Sequence, residues 1–230
     1  VSLSAVGMMG QWGWLLNMVL IGISSGASVF VAQYWGVKEI QKINKTCGIA
    51  TISALLISCI FMIISLAAPT FVVNIFNNDP DVVNEGIAYL LAVCVSYPAV
   101  AITNILSSVL RSVENVRLPM YVSIFTTVLN IFLDYAMIFG KFGFEQMGIK
   151  GAALATSISA WSGVLLILVV SLLTKNILYA PVKDTFGFSF NDIKIFYNDT
   201  QTKTDWWNVK MKPLKIKEIA EAVGFSSENE

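Results

Sequence analysis

Apolar residues fill five long stretches of the chain, at about 4–34, 47–68, 86–110, 119–140 and 151–174, with short polar segments between them. Each has the length of a bilayer-crossing helix, because about 20 apolar residues rising 1.5 Å apiece cover the hydrocarbon core. No stretch alternates with the period of two that marks a half-buried strand. The pattern predicts an all-α fold: a polytopic bundle of five transmembrane helices over residues 1–178. Local breakers set the boundaries. Pro69 ends the second span, a turn falls at Asp79-Pro80, and Pro119 opens the fourth span at a first-turn position that tolerates proline. Pro98 sits inside the third span, where it removes a backbone hydrogen bond and kinks the helix, which is tolerated where a neighbour, a polar side chain or a cavity absorbs the freed carbonyl. In the first span, Gly7, Gly10, Gly13, Gly22 and Gly26 are expected to let neighbouring helices approach closely.

Composition points the same way. The chain is 56% hydrophobic and 13% charged, with a mean hydropathy of +0.69, far from the balance of a water-soluble domain. Basic and acidic residues both number 15, so the net charge is uninformative while its distribution is not. Lys38, Lys42, Lys45, Arg111, Arg117, Lys175 and Lys183 fall in the first, third and fifth loops; Lys141 and Lys150 fall in the others. By the positive-inside rule the richer loops are cytoplasmic, which puts Val1 on the outer side. The chain opens without the basic start or cleavage site of a signal peptide, so this placement is expected for a fragment whose preceding span is missing. Cys47, Cys59 and Cys94 lie in apolar runs without metal-ligand spacing and read as small hydrophobes. There is no histidine, which removes imidazole relays and the usual hydrolase triads, and no nucleophile–base pair or phosphate loop appears. The protein is not expected to be an enzyme.

One charge interrupts the spans. Asp134 lies within PMYVSIFTTVLNIFLDYAMIFG, and an acid at the centre of a bilayer costs about 2.5 to 3.5 kcal/mol on insertion scales, so it should face other helices. Ser123, Thr127, Asn130 and Asp134 are spaced four, three and four and share one narrow face. Asn130 either bridges helices through buried hydrogen bonds or lines a cavity. For an acid with no intramembrane Lys, Arg or His to pair with, a functional role is the default, and a carboxyl group there can trade a proton for a sodium ion. A site near the membrane midplane is expected. Asn17, which shares a face with Ser24 and Ser28, and Asn104 after Pro98 are candidate lining residues; helix bridging is the alternative for Asn104. Gly151, Ala152, Ala153, Ala155 and Thr156 form a small-residue face at the start of the fifth span, from which Thr156 could offer its hydroxyl to whatever Asp134 holds.

Beyond residue 178 the chain becomes polar, and residues 179–230 are expected to form a cytoplasmic tail with a short helix at about Lys215 to Val223. From about residue 198 the tail reads as sequence unrelated to the bundle.

Four segments in order carry a resemblance: GISSGASVFVAQYWGVKE at Gly22 to Glu39, VLRSVENVRLPM at Val109 to Met120, LNIFLDYAMIFG at Leu129 to Gly140, and MGIKGAALATSIS at Met147 to Ser159. Together they resemble the multidrug and toxic compound extrusion (MATE) transporters, over roughly Ser2 to Tyr197. The resemblance implies a lobe of six helices, repeated to give twelve, around a cavity opening alternately to either side. The five spans then correspond to helices two to six of the first lobe. In many members a cation site in that lobe uses an acid on the first helix, an Asn and an Asp one turn apart on the fifth, and a Thr on the sixth. Asn130 and Asp134 match the pair, Thr156 matches more loosely, and the first-helix acid has no counterpart here. The extreme tail, KIKEIAEAVGFSSEN, is similar to the helix-turn-helix of AraC-type regulators, cut off where the second helix begins.

The expectation is therefore part of a cation-coupled multidrug or metabolite antiporter in a bacterial cytoplasmic membrane. Asp134, Asn130 and Thr156 would bind the cation, while Ser123, Thr127, Asn104 and Asn17 would line the substrate path. No cofactor is expected beyond a coupling ion, sodium or proton. The expected partners are the lipid bilayer, a small cationic or aromatic substrate, and the missing first helix and C-terminal lobe; no nucleic acid is expected. A lipid-linked saccharide flippase of the same superfamily is the first alternative, but it needs cationic side chains inside the spans, and those hold no Lys or Arg. A membrane-tethered helix-turn-helix regulator is the second alternative.

Overall fold

A computed structural model describes residues 2–77, 79–174 and 178. The expected tail, with its short helix and its helix-turn-helix likeness, lies outside the described residues. Among those residues the chain is entirely helical: α1 (Ser2–Gly36), α2 (Ile40–Ala67), α3 (Pro69–Asn74), α4 (Pro80–Val93), a 3-10 turn at Cys94–Ser96, α5 (Tyr97–Ser112), α6 (Arg117–Phe139) and α7 (Ile149–Thr174). Five helical segments are long and apolar enough to cross a membrane: Val6–Gly36, Ile40–Ala67, Val82–Ser112, Arg117–Phe139 and Ile149–Thr174.

Several helices begin earlier than the apolar runs suggest, because a helix continues through polar residues until something stops it. α2 starts at Ile40, so Lys42 and Lys45 ride on its first turns and the loop shrinks to residues 37–39. α1 ends with the Glu39 N–H donating to Tyr34 O and the Lys38 N–H to Trp35 O, and Lys38 takes a left-handed φ of 59°. Glycine would meet that geometry without the clash of a Cβ. α6 ends on Gly140 at φ 65°, where a Cβ would come within 2.9 Å of the Gln146 amide.

The third span is two helices in series. Pro98 has no N–H to give the Cys94 carbonyl, and the Tyr97 N–H takes that carbonyl in a tighter turn. Its neighbours receive side-chain donors: Cys94 Sγ to Leu91 O (3.2 Å), Ser96 Oγ to Val93 O (2.6 Å), Ser157 Oγ to Ala92 O (2.9 Å) and Trp161 Nε1 to Val95 O (3.1 Å). Ser157 and Trp161 stand one turn apart on α7. That helix therefore braces the break, as polar backbone in lipid requires.

α7 also packs along α6 at very short range. A Cβ on Gly151 would lie 2.9 Å from the Met137 carbonyl, and one on Gly163 would lie 2.7 Å from Thr126 Cγ2. Leu133, Met137 and Ala155 fill the space between. The glycines of α1 behave differently from the expectation: a Cβ on Gly7, Gly10, Gly13 or Gly22 would meet nothing within 4 Å. α1 packs on α2, α4 and α5 through its other face, burying Met9, Leu16, Leu20, Ala27 and Val31.

These contacts separate two kinds of glycine. Gly151→Ala should lower stability by about 1–3 kcal/mol through overpacking, while Gly7→Ala should be neutral or slightly stabilising through helix propensity. Reversible unfolding in mixed micelles measures both. Ser157→Ala should cost about 0.6 kcal/mol, the average for an interhelical hydrogen bond in lipid, and speed amide exchange near Ala92. Hydrogen–deuterium exchange with mass spectrometry checks that local effect.

Candidate functional site

Asp134 lies five residues before the end of α6, so about 8 Å along the axis from that end. By the loop charges that end of α6 is the outer one. α6 presents three arcs. Val122, Leu133, Ala136 and Met137 are buried, while Ile124, Val128, Ile131 and Tyr135 point away from the bundle. Ser123, Thr127, Asn130 and Asp134 run along the border between these arcs. Asn130 and Asp134 are half-buried; Ser123 and Thr127 are exposed. The Oδ1 atom of Asp134 is buried with no hydrogen-bond partner among the described residues. An acceptor in that state is costly unless something arrives to satisfy it.

A cavity of about 250 Å³, which no residue of α6 lines, opens between α1, α4, α5 and α7. Its polar lining comes from Asn17, Tyr89, Ser96, Tyr97 and Thr156, with Gly10 and Gly13 forming part of one wall. Tyr89 connects the two features, since it lines the cavity and lies within electrostatic range of the Asp134 carboxylate. Thr156 Oγ1 donates to Ala152 O at 3.0 Å, which uses its proton and leaves its lone pairs to accept or to coordinate. Asn104 reaches the site at second hand: its Nδ2 donates to Asn17 Oδ1 at 3.4 Å, while Asn17 Nδ2 donates to Gly13 O at 3.1 Å.

The structure thus brings Asn17 and Thr156 to one cavity, with Asn104 bonded to Asn17. Asp134 and Asn130 do not line it; Asp134 is linked to it through Tyr89, Asn130 lies one turn further along α6, and Ser123 and Thr127 are left on the outer surface of α6. Tyr89 and Tyr97 escaped the sequence reading. Their signal was present, since both phenols fall within one apolar run, and a buried tyrosine hydroxyl ordinarily serves an interior polar group.

Comparison with known proteins agrees with this architecture. The family model described as MatE matches residues 1–136. The chain is 34% identical over 163 residues to the probable multidrug resistance protein NorM of Thermotoga maritima, covering 70% of this chain and 35% of that protein. It is 27% identical over 180 residues to the probable NorM of Listeria monocytogenes serovar 1/2a, covering 78% of this chain and 40% of the relative. A crystal structure of MATE in the bent conformation superposes with a TM-score of 0.76 at 20% identity, over 87% of this chain and 44% of the other. An outward-facing multidrug resistance MATE transporter gives 0.73 over 88% and 45%. The chain spans about a third to two fifths of the length of these curated relatives. With five apolar spans, a matching family model and a shared fold, the chain is a multi-pass membrane protein that belongs to the MATE family of multidrug efflux transporters.

Proposed function

We propose that this chain forms most of one lobe of a cation-coupled antiporter in a bacterial cytoplasmic membrane, exporting small cationic or aromatic compounds by alternating access. The observation that carries the reading is the buried, unpartnered Oδ1 of Asp134, within electrostatic range of Tyr89, which lines a cavity together with Asn17 and Thr156. A sodium ion or a proton satisfies that oxygen. The Asn130 carboxamide, one turn inward on the same helix, and the Thr156 hydroxyl oxygen add neutral donors of the kind a hard monovalent cation prefers. Arrival of the ion removes the cost of the bare carboxylate and favours a bundle closed around it; loss of the ion favours an open one.

Asn17 and Asn104, joined by their amide hydrogen bond, form the substrate-facing wall, and the uncovered glycines of α1 leave that wall recessed. Ser123 and Thr127 would meet the substrate only where the rest of a complete transporter faces α6. A further helix and a second lobe complete the cavity, as the wider span of the relatives suggests. The lipid-linked saccharide flippase is disfavoured: the pyrophosphate it moves calls for cationic side chains, and none lines the cavity.

The test is a chimera in which residues 1–174 of this chain replace the matching part of the Thermotoga maritima relative. Asp134→Asn should reduce export of a cationic dye at least tenfold and abolish its dependence on a sodium or proton gradient. Thr156→Val should raise the ion concentration needed for half-maximal export several-fold, with Thr156→Ser close to the parent. Export by Asp134→Asn with unchanged ion dependence would contradict the reading.

A further inference from the structure

Of the six buried side-chain oxygens that lack a hydrogen-bond partner among the described residues, two belong to the tightly joined pair α6 and α7: Asp134 Oδ1 and Ser159 Oγ. Ser159 is 4% exposed. A serine in an apolar helix ordinarily donates to a nearby carbonyl, and Thr156, Ser157, Ser162 and Thr174 of the same helix all do so. Ser159 does not.

The contacts between the two helices fix what it faces. A Cβ on Gly151 would meet Met137, Ala155 packs with Leu133 and Met137, and a Cβ on Gly163 would meet Thr126 and Val122, so α6 and α7 run antiparallel in one register. Gly151, Ala155, Ser159 and Gly163 follow at intervals of four along this contact. Ser159 falls midway between Ala155 and Gly163, which sets it level with the midpoint of Leu133 and Thr126, at Leu129 and Asn130. Asn130 belongs to the stripe of α6 that faces α7, with Thr126, Leu133 and Met137, spaced four, three and four. Asn130 therefore has a bare oxygen on either side: Asp134 Oδ1 one turn away on its own helix, and Ser159 Oγ across the seam.

We propose that Ser159 is a ligand of the coupling ion and that this ion is sodium. The proposal rests on the reading of Asp134 and Asn130 as the cation site. A proton needs one oxygen, and Asp134 alone provides it. A hard metal cation needs several oxygens around it. One carboxylate, the Asn130 carboxamide and the hydroxyl oxygens of Thr156 and Ser159 make such a set, with one negative charge to match the ion's single positive one. A hydroxyl oxygen that coordinates keeps its proton free to donate, and for Ser159 the Ala155 carbonyl four residues back is the ordinary acceptor. The close contacts at Gly151 and Gly163 hold the two helices, and with them these oxygens, in fixed register.

The test uses the whole chain in lipid nanodiscs and a membrane-permeant carbodiimide, with coupling at Asp134 read by mass spectrometry as sodium replaces N-methylglucammonium at equal ionic strength. Sodium should protect Asp134. Ser159→Ala, and Ser159→Cys, which fills nearly the same space with a soft sulfur, should each raise the half-protecting sodium concentration about tenfold, the worth of one polar contact to a charge. Circular dichroism confirms that each variant is folded. In sodium-free buffer the pH profile of coupling should match the parent, because a proton on Asp134 does not call on Ser159. An unchanged half-protecting concentration in both variants overturns the role of Ser159 and leaves the reading of Asp134 standing. A pH profile displaced together with the sodium affinity also overturns it, since Ser159 would then act only through the packing of the seam. If sodium fails to protect Asp134 in the parent while coupling follows pH, the ion is a proton, and the sodium assignment falls with the Ser159 ligand. Coupling that responds to neither sodium nor pH removes the functional reading and this proposal together.

Discussion

A bilayer offers no water to a polar group, so every donor and acceptor inside the spans must find its partner in the protein. The break in the third span obeys this rule closely. Pro98 disturbs the ladder, and the five carbonyls from Leu91 to Val95 are each given a donor, two of them by α7. The rule is not met everywhere: among the described residues Ser24, Glu85, Tyr97, Thr103, Asp134 and Ser159 each keep a buried side-chain oxygen without a hydrogen-bond partner, and two of these, Glu85 and Asp134, are carboxylates. A carboxylate oxygen left buried and bare is costly until something satisfies it, and that cost is what the proposed cation role of Asp134 rests on.

The packing around Asp134 divides the molecule into a fixed wall and an open one. α6 and α7 meet at Gly151 and Gly163 with no room for a methyl group, which holds Asp134 and Thr156 on adjacent, tightly joined helices. α1, by contrast, turns Gly7, Gly10, Gly13 and Gly22 toward empty space while its other side is buried. Under the proposed function the cation chemistry belongs to the rigid pair, and the recess beside Asn17 to the uncovered face.

The helical class and the five spans were legible in the sequence because apolar run length is a direct measure of bilayer crossing. Asp134 was legible as a lone acid inside such a run, and the structure adds that one of its oxygens is buried without a partner among the described residues. Positions along each span were harder to read. Apolarity marks where lipid begins, not where a helix starts, so Glu85 fell one residue outside the expected third span and Lys42 outside the expected second. Small residues announce close packing without saying which glycine has a neighbour: Gly151 does and Gly13 does not. Tyr89 was overlooked because a tyrosine in an oily helix looks like an interface residue until a carboxylate is found near it.

Infrared difference spectroscopy of the reconstituted chain, recorded as sodium replaces N-methylglucammonium, observes the central group itself. The account predicts a carboxyl difference signal that disappears in Asp134→Asn and persists in Ser123→Ala. An identical difference spectrum in the parent and in Asp134→Asn would mean that Asp134 does not meet the ion, and the account would fail.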